Sequence, residues 1–199
     1  MSYLPPLTNT DALRFLTVHY AEPHRVYHGT WHLLDVMSFW KNLARQGRWQ
    51  HPIDAGLALV CHDAVYDPAS DANEETSAAM AVDLCHKYGA DEGRVRDMVL
   101  ATKWHAEEID FTEPDTQLVL DIDLVNLGRS WERYHWAAVS IRLEYGDLSD
   151  ALWKAGRSEF LRKMLARSAV YRTPHIGDEA AARANMEREL RELEASAIR

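Results

Sequence analysis

Cysteine is scarce in this chain, with only Cys61 and Cys85 among 199 residues. Two thiols exclude a disulfide framework, and the expected setting is the reducing cytoplasm. Long apolar runs are missing too. No window reaches the roughly 20 apolar residues that a membrane span needs. The opening Met1-Ser-Tyr-Leu-Pro-Pro6 has no basic segment followed by an apolar stretch. Neither export nor membrane insertion is therefore expected. Positive charge is in deficit, 22 Lys and Arg against 31 Asp and Glu, for a net charge of −9. A surface for long nucleic acid needs the opposite balance, so a small phosphorylated molecule is the better-fitting partner. Strand-like alternation of useful length is absent, as are internal repeats and low-complexity linkers.

What is present is a helical pattern nearly throughout, with 47% hydrophobic and 27% charged residues, ordinary for one globular domain. The periodicity predicts an all-α bundle of about eight to nine helices. The first spans Thr8 or Asn9 to Tyr20. Thr30 is expected as N-cap of the second, running to Arg45. Pro52 suits the first turn of the third, which ends near His62 and Asp63. Others are expected from Asn73 to before Gly89, from Asp91 to Trp104 or His105, and over Asp115–Val125, Ser130–Glu144, Asp147–Arg167 and Asp178–Ala197. The irregular stretch Ser168–Gly177 is expected to close over part of the site. Residues 1–199 are read as one domain, with a core over roughly residues 20–130 and helices over 130–199 packed on it. A homodimer through Met186, Leu190 and Leu193 is the oligomer the last helix suggests.

The most informative pair is His62-Asp63, which ends the run Ala55-Gly-Leu-Ala-Leu-Val-Cys61. Such a run reads as a helix buried on most sides, and two ionisable groups at its end are costly unless something offsets their desolvation. A divalent metal does so, since imidazole and carboxylate are ordinary ligands. The alternative is a structural pair, the aspartate accepting the imidazole N–H. Further ligands can be sought upstream in Tyr27-His28-Gly-Thr-Trp-His32 and downstream in Asp121-Ile-Asp123. His28 and His32 are four apart but lack the glutamate of the zinc-protease motif. Gly29 and the expected cap put His28 ahead of the helix. Spacing alone does not separate Asp121 from Asp123.

The order His … His-Asp … Asp resembles the HD superfamily of metal-dependent phosphohydrolases. Tyr27-His28-Gly-Thr-Trp-His32-Leu-Leu-Asp35-Val36 is similar to the signature of cyclic-nucleotide phosphodiesterases, which are themselves HD enzymes. Most of the chain resembles a bacterial group of predicted metal-dependent HD phosphohydrolases. That likeness is carried by Glu22-Pro-His-Arg-Val-Tyr-His28, His62-Asp-Ala-Val-Tyr-Asp67, Asn73-Glu-Glu-Thr-Ser-Ala78, Ala101-Thr-Lys-Trp-His105, Asp121-Ile-Asp-Leu124 and Tyr171-Arg-Thr-Pro174.

The resemblance implies an HD-type bundle in which His32, His62, Asp63 and Asp123 hold a metal and His28 protonates the leaving oxygen. Ile122-Asp123-Leu124 matches the family's ending, which makes Asp123 the ligand. Asp121 is then a hydrogen-bond acceptor behind the ligands or a helix cap. Asp63 counts with His28 among the catalytic residues. His105 is a candidate for a second ion or for a substrate phosphate. Lys103 and Arg25 are candidates for phosphate binding, with Arg172 a weaker one, and Asp67, Glu74 and Glu75 are candidates to orient ligands or water. Trp31 and Trp104 are candidates to stack on a base. Mixed His and carboxylate ligation suits Mn²⁺, Fe²⁺, Co²⁺, Ni²⁺ or Zn²⁺, with Mg²⁺ entering alongside the substrate. The activity implied is hydrolysis of a small phosphoester or anhydride, nucleotides first. Two other readings stand beside it: an HD-type diiron oxygenase and a regulatory nucleotide-binding module without turnover.

Overall fold

Residues 18–195 are described by the computed structural model of this protein. They are helical, with no strand among them. The first expected helix lies outside the described residues apart from its last turn, Val18–Tyr20, which is helical.

Helix α1 (Thr30–Arg45) buries His32, Leu33, Val36, Met37, Trp40 and Leu43, one stripe at three- and four-residue spacing. Its N-cap is Gly29 rather than Thr30. The Thr30 hydroxyl donates to the Tyr20 carbonyl at 3.2 Å, and no side chain caps this helix. Helix α2 (Pro52–Cys61) starts on proline and buries every residue from Asp54 to Cys61. Gly56 lets it approach α1, because a Cβ there would lie 3.0 Å from the Trp40 ring. Around this central rod pack α1, α3 (Asn73–Tyr88), α4 (Glu92–Thr102) and α5 (Pro114–Asp123).

The caps follow local chemistry. Gly89 takes the left-handed conformation that ends α3, and the Asp91 and Glu113 side chains accept backbone N–H groups at the starts of α4 and α5. Two expected helices are shorter than the periodicity suggests. After Thr102 the chain tightens, with Trp104 and His105 bonding three residues back, to Ala101 and Thr102. After Asp123 it winds into a 3₁₀ helix, Leu124–Gly128, which stacks Leu124 and Leu127 along one side.

Helices α6 (Trp131–Glu144), α7 (Asp150–Ala166) and α8 (Glu179–Ala195) complete the described residues. The face of α8 suggested for a dimer is used internally: Met186 is fully buried, and Leu190 and Leu193 pack against the core. No described helix is long and apolar enough to cross a membrane.

Candidate metal centre

Three helix ends meet at one point. His32 lies in the first turn of α1, His62 and Asp63 follow the last turn of α2, and Asp123 is the last residue of α5. One ligand atom from each of these four residues lies within 4.8 Å of all the others. His62 Nε2 is 3.1 Å from His32 Nε2, 3.0 Å from Asp63 Oδ2 and 3.4 Å from Asp123 Oδ1. His32 Nε2 is 3.6 Å from Asp63 Oδ2 and 3.3 Å from Asp123 Oδ1.

These spacings suit a cation. Bonds of about 2.0–2.2 Å put neighbouring ligand atoms roughly 3.0–3.5 Å apart around one ion. His62 Nδ1 donates to the Leu59 carbonyl at 2.9 Å, which leaves Nε2 with a bare lone pair in the neutral ring. That lone pair faces another imidazole nitrogen and two carboxylates. Asp63 Oδ2 and His32 Nδ1 are buried without a hydrogen-bond partner. Asp63 and Asp123 both sit at C-terminal helix ends, where the helix dipole disfavours a carboxylate. A divalent ion would offset all of these costs, so the donor set fits a transition metal.

With protons alone the cluster shows the same demand. Burial works against a charged His62, yet the Asp63 and Asp123 carboxylates outweigh it and hold the imidazole well above its ordinary range. Burial likewise opposes ionisation of Asp63 and Asp123, but the histidines hold both carboxyls below their ordinary values.

Beside the cluster stands a second polar unit. His28 Nδ1 donates to Glu144 Oε2 at 2.6 Å, leaving Nε2 as the nitrogen that can serve a ligand in the adjoining cavity. The other oxygen, Glu144 Oε1, accepts the backbone N–H groups of Val26, Tyr27 and His28 at 2.7, 2.7 and 2.8 Å. The Tyr66 hydroxyl donates to Oε2, and the Tyr66 ring stacks on His28. Burial lowers the His28 pKa, but the Glu144 hydrogen bond and the Asp63 charge more than reverse this, and it stands above 6.5. Glu144 is 116 residues from His28 and gave no sequence signal; a glutamate closing a helix looks like any other.

The remaining candidates separate. His105 places Nδ1 3.7 Å from Asp123 Oδ2, buried and without a hydrogen-bond partner. Lys103 and Glu74 border the cavity; Lys103 Nζ is held by Glu75 at 2.7 Å and by the Asp71 carbonyl. Arg25 does not border it. Its buried guanidinium donates to Glu22 and to the carbonyls of His28, Asp63 and Ala64, tying the His28 segment to the His-Asp turn. Arg25→Ala should therefore lower unfolding stability by about 2–4 kcal/mol, because buried carbonyls lose their donors. Chemical denaturation checks this; a loss below 0.5 kcal/mol, on the order of an exposed substitution, contradicts it.

Asp67 touches no ligand; it is exposed and pairs with Asn73 and Ala69 in a surface turn. Asp121 neither contacts the four ligands nor caps a helix. It accepts the N–H groups of Arg172 and Thr173, both at 2.7 Å. The 168–177 segment is thereby pinned away from the cavity instead of closing over it, and Arg172 reaches the Glu107 carbonyl on that same side. Trp31 and Trp104 are exposed and do not line the cavity. A scan against family models and searches of curated proteins and of solved structures found nothing that matches this chain.

Proposed function

We propose that this protein is a metal-dependent phosphohydrolase of HD type acting on a small phosphorylated molecule. The observation that carries the reading is the convergence of two imidazoles and two helix-terminal carboxylates within 4.8 Å, beside an oriented histidine. His32, His62, Asp63 and Asp123 would hold the metal. When bound, it supplies Lewis-acid polarisation of a phosphoryl oxygen and a more acidic water at neutral pH. Glu144 fixes the tautomer and rotation of His28 and keeps a proton on it, so that Nε2 can protonate the departing oxygen. Lys103 borders the same cavity and can offset charge on a phosphate, with Glu75 holding its ammonium in place.

Metal analysis of the purified protein, followed by phosphate release from a phosphoester panel with Mn²⁺, Co²⁺ and Ni²⁺, tests the reading. Release should vanish on chelation and return with metal; metal-loaded protein that releases phosphate from nothing would refute it. The other reading, an HD-type diiron oxygenase, would need a second ion beside Asp123, for which the unpartnered His105 Nδ1 is a single extra donor. Two irons per chain with a paramagnetic signal would support that reading over hydrolysis.

A further inference from the structure

The cavity beside the cluster, about 350 Å³, has two unlike walls. His28, Asp63 and Asp123 form one. The 3₁₀ helix, α6 and α7 form the other, where the apolar Leu124, Leu127, Ala137, Ala138, Ile141 and Phe160 outnumber the polar Asn126, Tyr134 and Arg157. Asp71 and Glu74 add negative charge at the border. Besides the protonated His28, which Glu144 holds, two cations line it among the described residues, and a carboxylate holds each. Lys103 is bound by Glu75, and Arg157 is bound by Glu189 at 2.9 and 3.0 Å.

Charge and volume together select a ligand. One phosphate can be met by a metal and by Lys103. Each further phosphate would bring negative charge toward Asp71 and Glu74 with no unpaired cation to receive it, and that desolvation would go uncompensated. The apolar wall favours an uncharged organic group, and the volume lies near the lower end for small-molecule sites, roughly 300–1,000 Å³. Resting on the hydrolytic reading above, we propose that the substrate is a monoester of one phosphate with a compact, uncharged aromatic or apolar alcohol. Di- and triphosphates are selected against. Water supplies the new oxygen on phosphorus, the bond to the alcohol oxygen breaks, and the alcohol leaves with the proton from His28. Inorganic phosphate and the free alcohol are the products.

Calorimetric titration of the Mn²⁺-loaded full chain tests the ligand class without turnover. Phenylphosphonate should bind at least about tenfold tighter than methylphosphonate, since only the former covers the apolar wall. AMP should bind tighter than ADP, and the double variant Asp71→Asn, Glu74→Gln should narrow that ratio by about threefold or more. Equal binding of the two phosphonates, or ADP binding as tightly as AMP, would overturn the proposal. Phosphate release from phenyl phosphate is then measured separately. Its absence with the binding order intact would remove hydrolysis while leaving the ligand class in place.

Discussion

His62→Ala and Asp63→Ala are each expected to abolish metal binding and phosphate release together, with turnover falling by about a thousandfold or more. The size follows from geometry. Each residue supplies one of four donor atoms that lie within 4.8 Å of one another. Each variant also breaks a buried, charge-paired cluster, so some metal-free stability is lost with it. Asp63→Ala takes away the carboxylate 3.0 Å from His62 Nε2, and His62→Ala leaves Asp63 and Asp123 without that imidazole. The diagnostic is thus a thermal melt with and without Mn²⁺. Wild-type protein gains stability on metal addition by mass action, and the variants do not. Near wild-type turnover in either variant would dismiss the site.

Glu144→Gln should lower kcat by about a hundredfold while leaving metal content unchanged. The amide oxygen can still accept the three N–H groups of residues 26–28. The amide nitrogen, however, faces His28 Nδ1–H, donor against donor, and drives the ring toward the wrong tautomer. The pH profile should move as well. His28 acts as an acid only when protonated, so activity falls as pH rises through its pKa. Glu144 raises that pKa, and the glutamine should shift the fall to lower pH. A profile that keeps its basic limb in place would show that Glu144 does not act through His28.

Stability carries the same signature with a worked sign. The His28 pKa is raised on folding, so its contribution is complete below 6.5 and is lost as pH rises through the folded value. The Glu144 pKa is lowered: burial raises it, but the His28 hydrogen bond and charge prevail. Its contribution is present above 4.5 and is lost as pH falls through the lowered value. Wild-type protein should therefore lose more stability than Glu144→Gln at both edges of that window.

The helices and some of their ends were legible in the residues. Pro52, Asp91 and Gly89 mark boundaries through backbone geometry that acts within a few residues. The apolar run before His62-Asp63 announced a buried rod with charge at its tip. Roles that depend on distant partners were not legible. Arg25 reads as a free cation and is instead spent on three backbone carbonyls, and Asp121 reads as a neighbour of the ligands and instead anchors the 168–177 segment.

The sequence by itself determined an all-helical chain and the residue types able to bind a cation, because propensity and periodicity are local properties. Only the tertiary structure decided that three helix ends converge, that Glu144 orients His28 from 116 positions away, and that the cavity's cations are already paired. Those facts rest on packing between segments far apart in the chain, and no local pattern encodes which carboxylate will meet which base.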